Sequence, residues 1–171
     1  MEKEKCPDRL FNVYKTVYSS RYLAKLLRGV SAAAVAVSAL SFAISLWRAW
    51  QESLLSAVLL AVSAAIPFSL VTAIRHIISA PRPYEVFDLS ELTPENPHGK
   101  LGASFPSRHV FSAFLIGVVS LLHAPILGIL TLALGLALAL SRVALGIHFV
   151  RDVVCGTVIG IASGLIYVLI L

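Results

Sequence analysis

The sequence predicts an all-α integral-membrane protein: a helical bundle of about five transmembrane helices preceded by an N-terminal interfacial amphipathic helix. Three observations predict it. The chain of 171 residues is 58% hydrophobic and only 13% charged, whereas a soluble domain carries about 25% charged residues. Four stretches free of Asp, Glu, Lys and Arg are each long enough to cross a hydrocarbon core. Seven of the fourteen Lys and Arg fall within residues 1–28, ahead of the first of those stretches.

Residues 1–28 read as a basic amphipathic segment and residues 29–171 as the membrane domain. Leu10, Val13, Tyr14 and Val17 recur at helical spacing, which suits a helix over 8–28 lying in the interface. Its Lys15, Arg21, Lys25 and Arg28 rule out a span. Such a segment flanks and orients the first helix and attracts anionic headgroups; with the remaining basic residues tied to helix ends, nucleic acid is excluded as a partner. The first span, Gly29 to Trp47, begins only after Arg28 and has full length, so it reads as a retained anchor and not a cleaved leader. Ser53 to Ile74 is the second, with Pro67 inside it, a residue membrane helices tolerate.

Residues 75–109 hold five prolines and the acidic Glu85, Asp88, Glu91 and Glu95. They read as a polar, solvated loop, with a lid over a site as the alternative. Val110 to Ser141 is 32 residues without a charge, too long for one span; His123-Ala124-Pro125 divides it into two short helices. Val153 to Leu171 is the last span, and its Gly156, Gly160 and Gly164 form a face for close helix packing. Cys6 and Cys155 have neither metal-ligand spacing nor a plausible pairing.

Charged groups at membrane depth are expensive and mark function. They fall in three clusters at helix ends: Arg75-x6-Arg82-Pro83, Pro106-Ser107-Arg108-His109, and Ser141-Arg142-x5-His148-x3-Asp152. The second helix ends where the third begins, and the third and fourth cross and return, so all three clusters reach one membrane face. Taken singly, Arg75 and Arg142 are ordinary interface arginines, His148 an interfacial histidine, and Arg151 and Asp152 flank charges. Independent flank charges would not all gather on one face with this chemistry. His123, on the opposite face, reads as a turn residue.

Together the clusters describe an oxyanion pocket. Arginine offers a planar fork matched to phosphate oxygens, and four of them repel one another unless an anion joins them. Ser107 adds a hydroxyl, and the first amides of its helix add further donors. His148 and Asp152 are i and i+4 and share a helix face. A carboxylate that holds one ring nitrogen as N–H leaves the other free as a nucleophile, and His109 is then placed to protonate a leaving oxygen. No His, Cys or carboxylate set is spaced for a metal, and no cofactor is implied.

These clusters resemble the signature of the type 2 phosphatidic acid phosphatase family, Lys-x6-Arg-Pro, Pro-Ser-Gly-His and Ser-Arg-x5-His-x3-Asp, over residues 75–152 with all internal spacings kept. Arg75 replaces the usual Lys and Arg108 the usual Gly; the second change brings an extra cation suited to a second phosphate. The resemblance implies that His148 attacks phosphorus to form a phosphohistidine, that Asp152 orients it, and that His109 is the leaving-group acid. It implies that Arg75, Arg82, Ser107 and Arg142 bind phosphoryl oxygens, with Arg108 giving its backbone N–H. It further implies a metal-free membrane hydrolase acting on a lipid phosphate or diphosphate, such as a polyprenyl diphosphate, phosphatidylglycerol phosphate or phosphatidic acid, with the site on the outer face.

Two alternatives use the same residues. A lipid phosphotransferase would differ only in its acceptor. A non-catalytic lipid-phosphate binding or transport protein would need the arginines but not the His148–Asp152 pair and His109. The charge distribution opposes the family's orientation: thirteen of the fourteen basic residues lie on the face that carries the three clusters, and only Arg48 lies on the other. The positive-inside rule therefore turns that face to the cytoplasm.

Overall fold

The computed structural model describes residues 4–89, 92 and 102–171, and the described residues are helical almost throughout. The elements are α1 (Asp8–Ser19), α2 (Arg21–Glu52), α3 (Leu54–Ile78), a single turn α4 (Pro83–Val86), α5 (Arg108–His123), α6 (Pro125–Ala144) and α7 (Val150–Ile170). Four of them, α2, α3, α6 and α7, are long and apolar enough to cross a membrane, and α5 is a shorter apolar helix. The outer surface of the bundle is strongly apolar, with Ile77 82% and Leu169 83% exposed, as expected where lipid replaces water.

The breaks follow local chemistry. Ser53 ends α2 and caps α3, its Oγ accepting from the Ser56 amide at 3.0 Å. Pro125 opens α6 at a position where its missing N–H costs nothing, so the long apolar run divides at His123-Ala124-Pro125 as its sequence predicts. The basic segment departs from the single interfacial helix expected over 8–28. Ser20 takes an extended conformation and caps α2 through its side chain, so α1 stops at Ser19 and Arg21, Lys25 and Arg28 ride on the first turns of the spanning helix.

Helix α5 is the axis of the bundle. It packs against α2, α3, α6 and α7, and most of its side chains are buried, among them Val110, Phe111, Leu115 and Val119. Its 16 residues rise about 24 Å, short of the roughly 30 Å hydrocarbon core, which a helix enclosed by others tolerates.

The α5–α7 contact is set by glycine, as the sequence predicts. A Cβ at Gly156 would lie 2.7 Å from the Ser107 carbonyl oxygen, one at Gly160 2.5 Å from that of Phe111, and one at Gly164 2.7 Å from the Val118 Cβ. Only hydrogen at these three positions allows the two backbones so close.

Helix α1 folds back over the end of the bundle where α6 meets α7. Tyr14 is buried against Gly146, whose φ of +65° favours glycine. The Tyr18 hydroxyl donates to the Leu145 carbonyl at 2.9 Å, and Val17 packs with Leu145 and Ile147. Just ahead of α1, Glu4 pairs with the chain after α4, its amide donating to Val86 O and its carbonyl accepting from the Asp88 amide.

At the opposite end, His123 is more than a turn residue. Its Nε2 lies 2.7 Å from the Tyr167 hydroxyl and its Nδ1 3.3 Å from Glu52, while Arg48 donates to its carbonyl at 2.6 Å. Ser41 and Ser45 both donate to Ser120 one turn deeper. This network joins the ends of α2, α5 and α7, satisfying polar groups that would be costly if orphaned in a membrane.

Candidate active site

All three clusters arrive at one end of the bundle. Arg75, on the last turns of α3, is only 7% exposed and points inward to the segment ahead of α5, where its Nη1 donates to the carbonyls of Ser104 and Pro106. Arg82 donates from Nε to Gly102 O at 3.3 Å. Part of each guanidinium thus holds the protein's own backbone.

Glu85 completes this frame and corrects the reading of it as a solvated loop residue. Half-buried, its carboxylate accepts from the amides of Gly102 at 2.8 Å and Arg82 at 3.2 Å, so it closes the loop between α3 and α5 at its base. Glu91 and Glu95 lie outside the described residues, and Asp88 is exposed.

The start of α5 supplies Ser107, Arg108 and His109. Ser107 occupies the N-cap, yet its hydroxyl makes no capping bond. The hydroxyl is buried, and among the described residues neither it nor the buried Nε of Arg142 finds a partner. Two buried donors without partners are rare in a native fold, and here both sit among cations, the arrangement an oxyanion would satisfy. Arg142 ends α6 and shapes the turn that follows, its carbonyl accepting from the amides of Ile147 and His148.

That turn delivers His148, 3% exposed, to Asp152, fully buried in the first turn of α7. The ring Nδ1 lies 3.5 Å from Asp152 Oδ2. Oδ2 also accepts from the Phe149 amide at 3.0 Å and from the Ser104 hydroxyl at 2.5 Å, and Ser104 Oγ is itself 3.2 Å from His148 Nδ1. Burial pushes the His148 imidazole below its usual value, against the opposing pull of the nearby Asp152 carboxylate, so the neutral ring is favoured. His109 is within electrostatic reach of Arg142, His148, Arg108 and Arg75; Arg82 reaches Arg142 and His148.

Arg108 and His109 line a groove of about 300 Å³ with Val35 and Ser38 of α2 and Phe68 of α3, and the Arg108 guanidinium lies 5.9 Å from the centre of the Phe68 ring. Phe68, Ser112 and Ile116 also line a second apolar groove of about 360 Å³, which runs on between α2, α3 and α5 past Phe42 and Ala65. A cationic head site thus opens onto an apolar path within the bundle.

Residues 56–171 match the PAP2 superfamily. The chain belongs to that superfamily. Two solved structures share its fold. One is the first transmembrane PAP2 type phosphatidylglycerolphosphate phosphatase from Bacillus subtilis, with a TM-score of 0.68 at 18% identity, covering 95% of this chain and 84% of that one. The other is LpxE from Aquifex aeolicus, with a TM-score of 0.68 at 21% identity, covering 94% of this chain and 93% of that one. Among curated proteins none matches the sequence. The protein is a multi-pass membrane phosphatase of the PAP2 fold.

Of the residues singled out from sequence, the buried Arg75, Ser107, His148 and Asp152 gather at one end with the half-buried Arg82 and Arg142, and Arg108 and His109 line the groove. Sequence reasoning missed Ser104. It lies outside the three motifs, and nothing in its spacing marks it; only the fold brings it against a pair some 44 residues on.

Proposed function

We propose that this PAP2 phosphatase removes the terminal phosphate from a lipid phosphomonoester or diphosphate through a phosphohistidine. The observation that carries the reading is the junction at His109: a buried cationic site with a neutral, oriented imidazole on one side, and an apolar groove between α2, α3 and α5 on the other. A phosphate head fits the first and a hydrocarbon tail the second.

In this reading the phosphoryl oxygens are held by the guanidiniums of Arg75, Arg82 and Arg142 and by the Ser107 hydroxyl. Preorganised cations in a water-poor site stabilise the charge of the pentavalent transition state without having to reorganise. Nε2 of His148 attacks phosphorus, the bond to the lipid oxygen breaks, and His109 gives that oxygen a proton. Water then attacks phosphorus, loses a proton to His109, and returns the electron pair to Nε2. Arg108, at the groove, is placed for a second phosphate, which favours a polyprenyl diphosphate over phosphatidylglycerol phosphate and phosphatidic acid.

Phosphate release by the purified full-length protein from these three lipids, with a water-soluble sugar phosphate beside them, tests the reading. Turnover of the lipids but not the sugar, abolished by His148→Ala in a folded protein, is expected. Vanadate should inhibit, and EDTA should not, because four arginines would repel a divalent cation. Full turnover by His148→Ala, or chelator loss restored by a metal, would overturn the mechanism.

A further inference from the structure

The His148–Asp152 pair is longer than a working hydrogen bond. At 3.5 Å from Nδ1 to Oδ2, the direct contact lies outside the usual 2.7–3.2 Å range. Ser104 Oγ sits between the two, 3.2 Å from Nδ1 and 2.5 Å from Oδ2. Its own backbone is fixed at both ends: the amide donates to Ala80 O at 2.9 Å and the carbonyl accepts from Arg75. The side chain is fully buried.

A hydroxyl has one proton to give, and an ionised carboxylate only accepts. The Ser104 proton therefore points to Asp152, and the Ser104 oxygen has only lone pairs to offer to His148. That arrangement requires hydrogen on Nδ1 and a free lone pair on Nε2. We propose that Ser104 is a positioning residue that couples Asp152 to His148, so that the orienting chain runs from Nδ1–H to Ser104 Oγ and from Ser104 O–H to Asp152 Oδ2. The proposal rests on His148 being the nucleophile. When Nε2 bonds phosphorus, the ring becomes cationic while keeping its Nδ1 proton; no proton moves along the chain, and the carboxylate charge is felt through the polarised hydroxyl. Return of the electron pair to Nε2 on hydrolysis restores the starting state. The alternative is a direct pair in which Ser104 merely fills space.

The test uses full-length protein in detergent with farnesyl diphosphate as probe, and Ser104→Ala, Ser104→Thr, Asp152→Asn and the Ser104→Ala/Asp152→Asn double variant. Losing one charge-assisted bond should lower kcat about 10- to 100-fold with KM little changed, and threonine, which keeps the hydroxyl, should recover most of it. Because the two residues act in series, the double variant should be no slower than Asp152→Asn. Nitrogen NMR shifts of His148 should show the Nδ1-protonated tautomer in the parent and a mixture in Ser104→Ala, a readout that packing alone would not move. A folded Ser104→Ala with the parent's kcat and tautomer, or losses that multiply in the double variant, would overturn the relay. Turnover surviving in His148→Ala would instead overturn the function on which it rests.

Discussion

The backbone N–H of Ser107 donates to the carbonyl oxygen of Asp152 at 3.0 Å, joining the first turn of α7 to the cap of α5 at the heart of the site. One turn on, the missing side chain of Gly156 leaves room for the Ser107 carbonyl. The serine proposed to meet phosphate and the carboxylate behind the histidine are thus held in register by a glycine. Gly156→Ala would place a methyl 2.7 Å from that oxygen, and backbone cannot yield as a side chain would. Overpacking of this kind costs about 1–3 kcal/mol. The expected outcome is a lower thermal midpoint and an activity loss larger than that stability loss explains, since the shift falls on both halves of the site. Parent-like turnover and melting would show that the α5–α7 contact is not what sets the geometry.

A second prediction concerns pH. Burial holds the His148 imidazole below its usual value, about 6.5 for an unperturbed histidine. A nucleophile must be neutral, so a lowered value keeps it competent as pH falls. The acidic limb of kcat/KM belonging to this group is expected below about pH 6.5. The neighbouring Asp152 carboxylate works in the raising direction, so Asp152→Asn should move the limb to still lower pH while reducing kcat, by about 100-fold or more. A limb that moved upward would contradict the assignment. His148→Ala should leave no limb to measure.

The spans and the three charged clusters were legible because a membrane makes charge conspicuous: Arg75, Arg142 and Asp152 stand out against long runs of Ala, Leu, Val and Ile. The glycine face of α7 was legible because its period of four is helical. What was not legible depends on tertiary pairing. Ser20 stops α1 by capping α2, but in the sequence it sits inside a continuous basic and amphipathic pattern. Glu85 looks like one of four loop acids until the chain brings Gly102 back against it. Ser104 is one small polar residue among many, and only the meeting of its loop with α7 gives its hydroxyl a carboxylate and an imidazole.

Arg108 offers a third prediction. Where the family pattern has glycine, this chain puts a guanidinium at the groove beside His109 and near the Phe68 ring. A second phosphate on the substrate would meet that cation, while a monophosphate would be held by the deeper arginines alone. Arg108→Gly should therefore lower kcat/KM for a polyprenyl diphosphate by about 10-fold or more, the scale of one charge-assisted contact, with a smaller effect on phosphatidic acid. An unchanged ratio of the two activities would remove the argument for a diphosphate.

The last prediction is orientation. The structure puts the N-terminal helix on the same end of the bundle as the candidate site, since Tyr18 of α1 bonds Leu145, three residues before His148, and Glu4 pairs beside Phe87. The chain leaves that end only along α2, so α1 and the start of α2 share a face with the site. Among the described residues that face carries eleven basic residues, and the other carries only Arg48. Setting aside the four arginines proposed to meet phosphate still leaves seven against one among the described residues. Charges in short segments beside the spans are those that govern insertion, and α1 with the start of α2 is such a segment. The expected orientation is therefore a cytoplasmic site, opposite to the outer-facing one the family resemblance implies. Single cysteines decide it, in a background of Cys6→Ala and Cys155→Ala: Asn12→Cys on the exposed side of α1 and Gln51→Cys at the far end of α2. With a membrane-impermeant maleimide on intact cells, Gln51→Cys should label at once and Asn12→Cys only after permeabilisation. The reverse pattern would place the site outside and make the surplus of positive charge a feature of substrate capture instead of insertion.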